Sequence, residues 1–143
     1  MSTQTEQNKA IIRRLEEANN SEAQATTYEL TAPDFVLHMS GMPGPLNREA
    51  VMQLASAWRS SFSNTQHVFE DQIAENDQVV SRFTWHAIHT GEFQGMPATR
   101  KQIAVPGIYI DRIRDGQVVE RWASIDQLGM MQQLGLMPSQ ADQ

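Results

Sequence analysis

Three helical stretches followed by a run of four strands predict an α+β fold, built as a single domain over residues 1–143. Two observations carry this. Apolar residues recur at helical spacing up to about Phe62, then switch to strand-like alternation from Gln66 onward. The strands are joined largely by hairpins, with the clearest turn at Arg114-Asp-Gly-Gln117. Helices and antiparallel strands thus come in separate runs, which argues against an alternating α/β fold.

Thr3 and Glu6 form a capping box ahead of Ile11, Ile12, Leu15 and Ala18, so residues 4–19 read as an amphipathic helix. Asn19-Asn20-Ser21 breaks it. Ser21 and Gln24 read as a second capping box, opening a short helix to about Leu30, and Pro33 ends this helical stretch. Residues 35–39 are a short strand, and Gly41-Met-Pro-Gly-Pro45 is a loop by its turn chemistry. Asn47 is a good N-cap for a third helix that buries Val51, Leu54, Ala55, Trp58 and Phe62. Residues 66–75 and 79–90 are strands around the turn at 75–78, and residues 91–99 form a loop. Strand 101–113 contains Pro106 and Gly107, which predict a bulge or bend. Strand 118–125 runs into a helix from about Asp126, which Gly135 and Pro138 end. The tail at 139–143 is expected to fray.

Composition narrows the function classes. A formal net charge of -6 leaves no basic footprint for nucleic acid and argues against an anionic membrane surface. The absence of cysteine removes disulfides, thiolate catalysis and Cys-ligated metal. No apolar run reaches membrane-span length and the N-terminus carries no signal-peptide core, so a soluble, cytoplasmic protein is expected. There is no Gly-rich phosphate loop and no nucleophile elbow around Ser124. His86 and His89 point to opposite faces of a strand, so no metal site is expected.

Strand 101–113 carries apolar residues at both parities: Ile103, Val105 and Tyr109 at one, Ala104, Ile108 and Ile110 at the other. Helices can cover one face only. The other is expected to meet a second copy, giving a homodimer through the sheet, with a tetramer as the larger alternative.

The stretch 118–136 is the most informative. Without a bulge, Val118, Glu120, Trp122, Ser124 and Asp126 share one face. Asp126 is then either the N-cap of the last helix or an acid–base group tuned by burial near Trp122. His89 is in phase with Phe83, Trp85 and Ala87, so it is a satisfied core residue or a group facing a site. His38 is in phase with Val36 and open to the same two readings. His86 and His67 read as surface or interface.

Several segments together resemble the SnoaL-like polyketide cyclases, or ester cyclases, of the nuclear-transport-factor-2-like superfamily. They are Asp34-Phe-Val-Leu-His38, Arg82, His89-Thr-Gly-Glu-Phe-Gln-Gly-Met-Pro97, Gly107-Ile-Tyr-Ile-Asp-Arg112, Asp115-Gly116 and Glu120-Arg-Trp-Ala-Ser-Ile-Asp-Gln-Leu-Gly129, with Gln133-Leu-Gly135 behind. This chain differs at His38-Met39-Ser40, where the family often has His-Asp-Pro, and at Thr99-Arg100-Lys101, where it often has Thr-Gly-Arg. The resemblance implies a cone-shaped, curved antiparallel sheet wrapped around the N-terminal helices and an apolar cavity. It implies intramolecular aldol closure of a small hydrophobic carbonyl substrate, without metal or organic cofactor. Asp126 matches the family's general base. With it, His89 and His38 are candidates to orient the base or stabilise the oxyanion. Candidates for the wall are Trp122, Trp58, Phe83, Trp85, Tyr109, Met39, Met42 and Met96. Two other readings stay open. One is epoxide hydrolysis or isomerisation in the same cavity, which in this superfamily uses two aspartates flanking an arginine. The other is a non-catalytic module that binds a small hydrophobe and in which Asp126 only caps its helix.

Overall fold

Local capping chemistry starts the fold. Thr3 accepts the Glu6 N–H at 3.1 Å and opens α1 (Gln4–Asn20). Asn47 accepts the Ala50 N–H at 2.9 Å and opens α3 (Arg48–Ser61). The computed structural model describes residues 3–137, so Pro138 and the tail lie outside the described residues. Between these helices, α2 (Gln24–Leu30) begins without a side-chain cap. Ser21 does not form the expected second capping box. Its hydroxyl turns back to the Glu17 carbonyl and ends α1 instead.

Six strands form one sheet in the order β2-β1-β6-β5-β4-β3. They are β1 (Thr31–Met39), β2 (Leu46–Asn47), β3 (Phe62–Glu75), β4 (Gln78–His89), β5 (Gln102–Arg114) and β6 (Gln117–Ile125). The helix α4 (Gln127–Leu134) follows, and Gly135 ends it at φ 84°. Positive φ at Asp115 and Gly116 makes the tight turn between β5 and β6. The β3–β4, β4–β5, β5–β6 and β1–β2 pairings are antiparallel, as hairpins and short returns require. The β1–β6 pairing is parallel, which corrects the expectation of an antiparallel sheet throughout. These two strands are joined by the whole intervening chain, so no hairpin dictates their direction.

Helices α1 to α3 cover one face of the sheet, the α+β layout the sequence predicts. Ile12 and Leu15 from α1 pack with Val79, Phe83, Ile103, Val105 and Val118 from the strands. The strand β5 alternates buried and exposed along its length and has no bulge at Pro106. Proline is tolerated there because its backbone faces the end of β6. The Pro106 carbonyl accepts the Asp126 N–H at 3.0 Å, just where β6 gives way to α4. Beyond that point the Gln133 side-chain amide both donates to and accepts from Ala104, each at 2.8 Å, and stands in for a strand. On the outer face Val68, Ile73 and Ile108 are exposed at 41%, 66% and 45%. Among the described residues, no helix is long and apolar enough to cross a membrane.

The bulge lies instead in β6. Arg112 pairs Glu120 while Ile113 pairs Val118, so Val119 is an extra residue. Val118 therefore faces the core, whereas Glu120 and Trp122 take the outer face and Arg121 and Ala123 the inner one.

Gly107 lets β5 lie close under the Phe83 ring. A Cβ there would stand 2.5 Å from Phe83 Cζ and 3.0 Å from Ile125 Cγ2. Gly107→Ala is expected to lower stability by about 1–3 kcal/mol through overpacking. Urea unfolding measures this, and an unchanged midpoint would mean that the two side chains have room to retreat.

Candidate active site

A cavity of about 240 Å³ lies between the inner face of the sheet and the three N-terminal helices. Phe35, Leu37 and Met39 of β1, Phe83 and Trp85 of β4, and Val51, Leu54, Ala55 and Trp58 of α3 make its walls largely apolar. These positions face inward because strand residues alternate and α3 presents one stripe. Exposed Glu22 and half-buried Arg59, 3.8 Å apart, also border the space, so it opens beside the α1–α2 turn.

The strands β3, β5 and β6 bring His67, Tyr109 and Arg121 together on one wall. His67 Nε2 lies 3.1 Å from the Tyr109 hydroxyl. Its Nδ1 lies 2.8 Å from Oε1 of Glu16, which α1 buries to 3% exposure. The Arg121 guanidinium lies 3.9 Å over the Tyr109 ring and grips buried Asp111 through Nε at 2.6 Å and Nη2 at 3.2 Å. Burial pushes the Tyr109 phenol well above its ordinary range. The Glu16 charge adds to that shift, and Arg121 opposes it. Tyr109 therefore keeps its proton and acts as a donor. Burial also raises the Asp111 carboxyl, against the pull of Arg121. For Arg121, burial disfavours the charge, but Asp111 and Tyr109 outweigh it and leave the guanidinium above its ordinary value.

Of the residues expected at the wall, Met39, Trp58, Phe83, Trp85 and Tyr109 line the cavity. Trp122, Met42 and Met96 do not. Trp122 stacks on His38 across the outer face, 5.3 Å between ring centroids, because the β6 bulge shifts its phase. Met42 is exposed on its loop, and Met96 packs against the core beside the 91–99 turn.

The three expected catalytic residues also lie elsewhere. His38 shares the outer face, with Nε2 2.6 Å from Glu120 Oε2. His89 does face inward, but it lies fully buried behind Phe62 and Phe93. Its Nδ1 accepts the Thr99 N–H at 3.1 Å, which puts the ring proton on Nε2. Asp126 caps α4, with Oδ1 accepting the Gly129 N–H at 2.9 Å, and is absent from the lining. Arg82 is exposed, and the arginine that meets a buried acid is Arg121 with Asp111. Two aspartates flanking an arginine, as epoxide hydrolysis would need, are not assembled among the described residues of this wall.

His67, read from the sequence as surface or interface, instead lies on the inner wall, and Glu16 went unrecognised, although each left a signal. His67 alternates with Gln66 and Val68 and is in phase with Phe69. Glu16 stands four residues after Ile12 on the buried stripe of α1, where an acid is costly unless partnered. Among the described residues, no group of three or more acidic or histidine side chains is placed to hold a metal.

Comparison with known proteins places this geometry in a family. The chain is 30% identical to aklanonic acid methyl ester cyclase DnrD of Streptomyces peucetius over 141 residues, covering 94% of this chain and 92% of that one. Among solved structures, IdmH of Streptomyces antibioticus, assigned as a polyketide cyclase, is 31% identical with a TM-score of 0.83, covering 90% of this chain and 98% of IdmH. AclR of Streptomyces galilaeus, assigned as a hydroxylase, is 25% identical with a TM-score of 0.86, covering 94% and 85%. Residues 9–134 match the family model described as SnoaL-like polyketide cyclase, and the chain belongs to that family.

Proposed function

We propose that this chain closes a ring in a small hydrophobic carbonyl compound, with His67 as general base and Tyr109 as the donor to the developing oxyanion. The observation that carries this reading is the His67–Tyr109 contact on one wall of a largely apolar cavity. The cyclase relatives support the reaction class. In the free protein the Tyr109 hydroxyl donates to His67 Nε2. A phenol has one proton to give, and its hydroxyl can rotate toward a substrate carbonyl. That rotation frees the Nε2 lone pair. The base then takes a proton from the carbon between two carbonyls, and the C–H electrons pass into an enolate held by Tyr109 and the Arg121 charge. The enolate carbon bonds to a second carbonyl carbon of the same molecule. The resulting alkoxide takes the proton back from His67, so the product is an isomer of the substrate. In this reading Asp126 caps its helix and takes no part in the chemistry.

The outer sheet face supports a second element of the reading, pairing with another copy of this chain through exposed Val68, Ile73 and Ile108.

Deuterium exchange at the activated carbon of a 1,3-dicarbonyl probe tests the chemistry. His67→Gln is expected to slow exchange by about 10²–10⁴-fold and Tyr109→Phe by about 10²–10³-fold. Asp126→Asn is expected to keep the rate within a few-fold, because Asn caps a helix about as well as Asp. The opposite ranking would return the base to Asp126. The raised phenol pKa predicts a stability effect as well. Above about pH 10 the unfolded chain loses the tyrosine proton while the folded chain keeps it, so stability falls with rising pH. Tyr109→Phe is expected to remove up to about 1.4 kcal/mol per pH unit of that fall, measured by urea unfolding under alkaline conditions. For assembly, sedimentation of Ile108→Arg is expected to show monomer where the unmodified chain shows a dimer. Equal masses would remove this face as the interface.

A further inference from the structure

We infer that Glu16 is the positioning residue of the His67 base, fixing which ring nitrogen carries the proton and stabilising the imidazolium that forms during turnover. The inference rests on the base role proposed for His67. Glu16 Oε1 lies 2.8 Å from Nδ1, on the ring edge opposite the Tyr109 contact at Nε2. A negative charge this close to Nδ1 favours the proton on that nitrogen, so Nε2 keeps its lone pair for a carbon acid. Glu16 also lacks a better partner among the described residues. Both its carboxylate oxygens are buried without a hydrogen bond, Oε1 lying 2.8 Å from His67 Nδ1 as a close charge contact, and the nearby Arg121 is already matched by Asp111. A carboxylate buried on those terms is justified by an intermittent positive charge beside it, and His67 is the group that can supply one.

The helix holds the base at two points. Glu16 and Asn20 are one turn apart on α1. The Asn20 amide brackets the His67 main chain, accepting its N–H at 2.9 Å and donating to its carbonyl at 3.2 Å. Asn20 thus fixes the backbone, which leaves Glu16 to orient the ring. Behind the pair lies an open groove of about 410 Å³, bordered by Glu16 and His67 together with Arg13, Glu17, Gln66 and Phe69. In Glu16→Ala the vacated space adjoins this groove, which gives a small solute a path to His67 from the side away from the cavity.

The experiment combines ¹⁵N NMR of the His67 ring with the exchange assay. The intact protein is expected to show the Nδ1–H tautomer. Glu16→Gln is expected to shift the ring toward a mixture and slow exchange about 10–100-fold, with Glu16→Asp recovering part of both. Glu16→Ala is expected to regain rate on addition of formate, which fits the groove and replaces the lost carboxylate. An unchanged tautomer and rate in Glu16→Gln would overturn the inference, as would a loss of rate that neither Asp nor formate restores. Failure of the base assignment reads differently: His67→Gln would then keep its rate, whatever the tautomer of His67 in the unmodified protein.

Discussion

The bond between Asp111 and Arg121 holds the polar wall of the cavity together. Both groups lie inside the fold, where an unpaired charge would cost several kcal/mol, so each makes the other tolerable. Their two-point contact also sets the plane of the guanidinium, which lies flat over the Tyr109 ring. That contact holds the phenol in the wall, within reach of His67. Removing either charge would leave the other buried and unmatched, at about 3–5 kcal/mol by analogy with buried pairs in general. The wall would then loosen as a unit, since Tyr109, Arg121 and Asp111 share two adjacent strands in direct register, Asp111 opposite Arg121.

The elements themselves were legible in the sequence. Apolar periodicity, cap residues and breakers together located four helices and five of the six strands, with the two-residue β2 escaping because so short a bridge has no period. Cap chemistry located Thr3, Asn47 and Asp126 as helix starts. The facing of side chains was far less legible, and Val119 shows why. One extra residue in β6 reverses the phase of everything beyond Val118. Alternation counted from Val118 puts Trp122 at the cavity, whereas the folded chain puts Arg121 and Ala123 there. Pro106 misled in the opposite sense. It signals a bulge in β5, but its missing N–H falls where the neighbouring strand ends and nothing is disrupted.

The same phase reversal decides which residues of the family-marking segment in β6 see the cavity: Arg121 and Ala123 do, Glu120 and Trp122 do not. Glu120 and Trp122 belong to the segment that carries the resemblance, yet they meet His38 and Arg112 on the outer face. There they have structural work. The strands β1 and β6 are joined in parallel without a hairpin, so their register must come from side chains. The His38–Glu120 contact and the His38–Trp122 stack tie them across the pair, with His38 directly opposite Trp122. His89 and Asp126 have comparable duties, one bracing the 89–99 loop through Thr99 and the other capping α4. A motif can thus identify a fold while only part of it faces the cavity.

The arrangement of donors and acceptors on the wall restricts how a substrate can lie. Tyr109 retains its proton and Arg121 retains its charge, so both offer hydrogen or positive potential. His67 is the group among these three that can accept a proton. In the proposed reaction, oxygen that gains negative charge is therefore best placed toward Tyr109 and Arg121, and the acidic carbon toward His67. The walls from β1 and α3 are mainly apolar, with Thr31, Arg48 and Arg59 as their polar members, so the proposed reaction favours a substrate with its reactive carbonyls gathered toward Tyr109 and Arg121. At about 240 Å³ the space is slightly smaller than a typical site for a drug-sized molecule, so the reacting end can be enclosed while a longer body extends past Glu22 and Arg59. Ring closure suits such a site, because holding one flexible molecule folded against a fixed wall brings its own two carbons together without a second reactant.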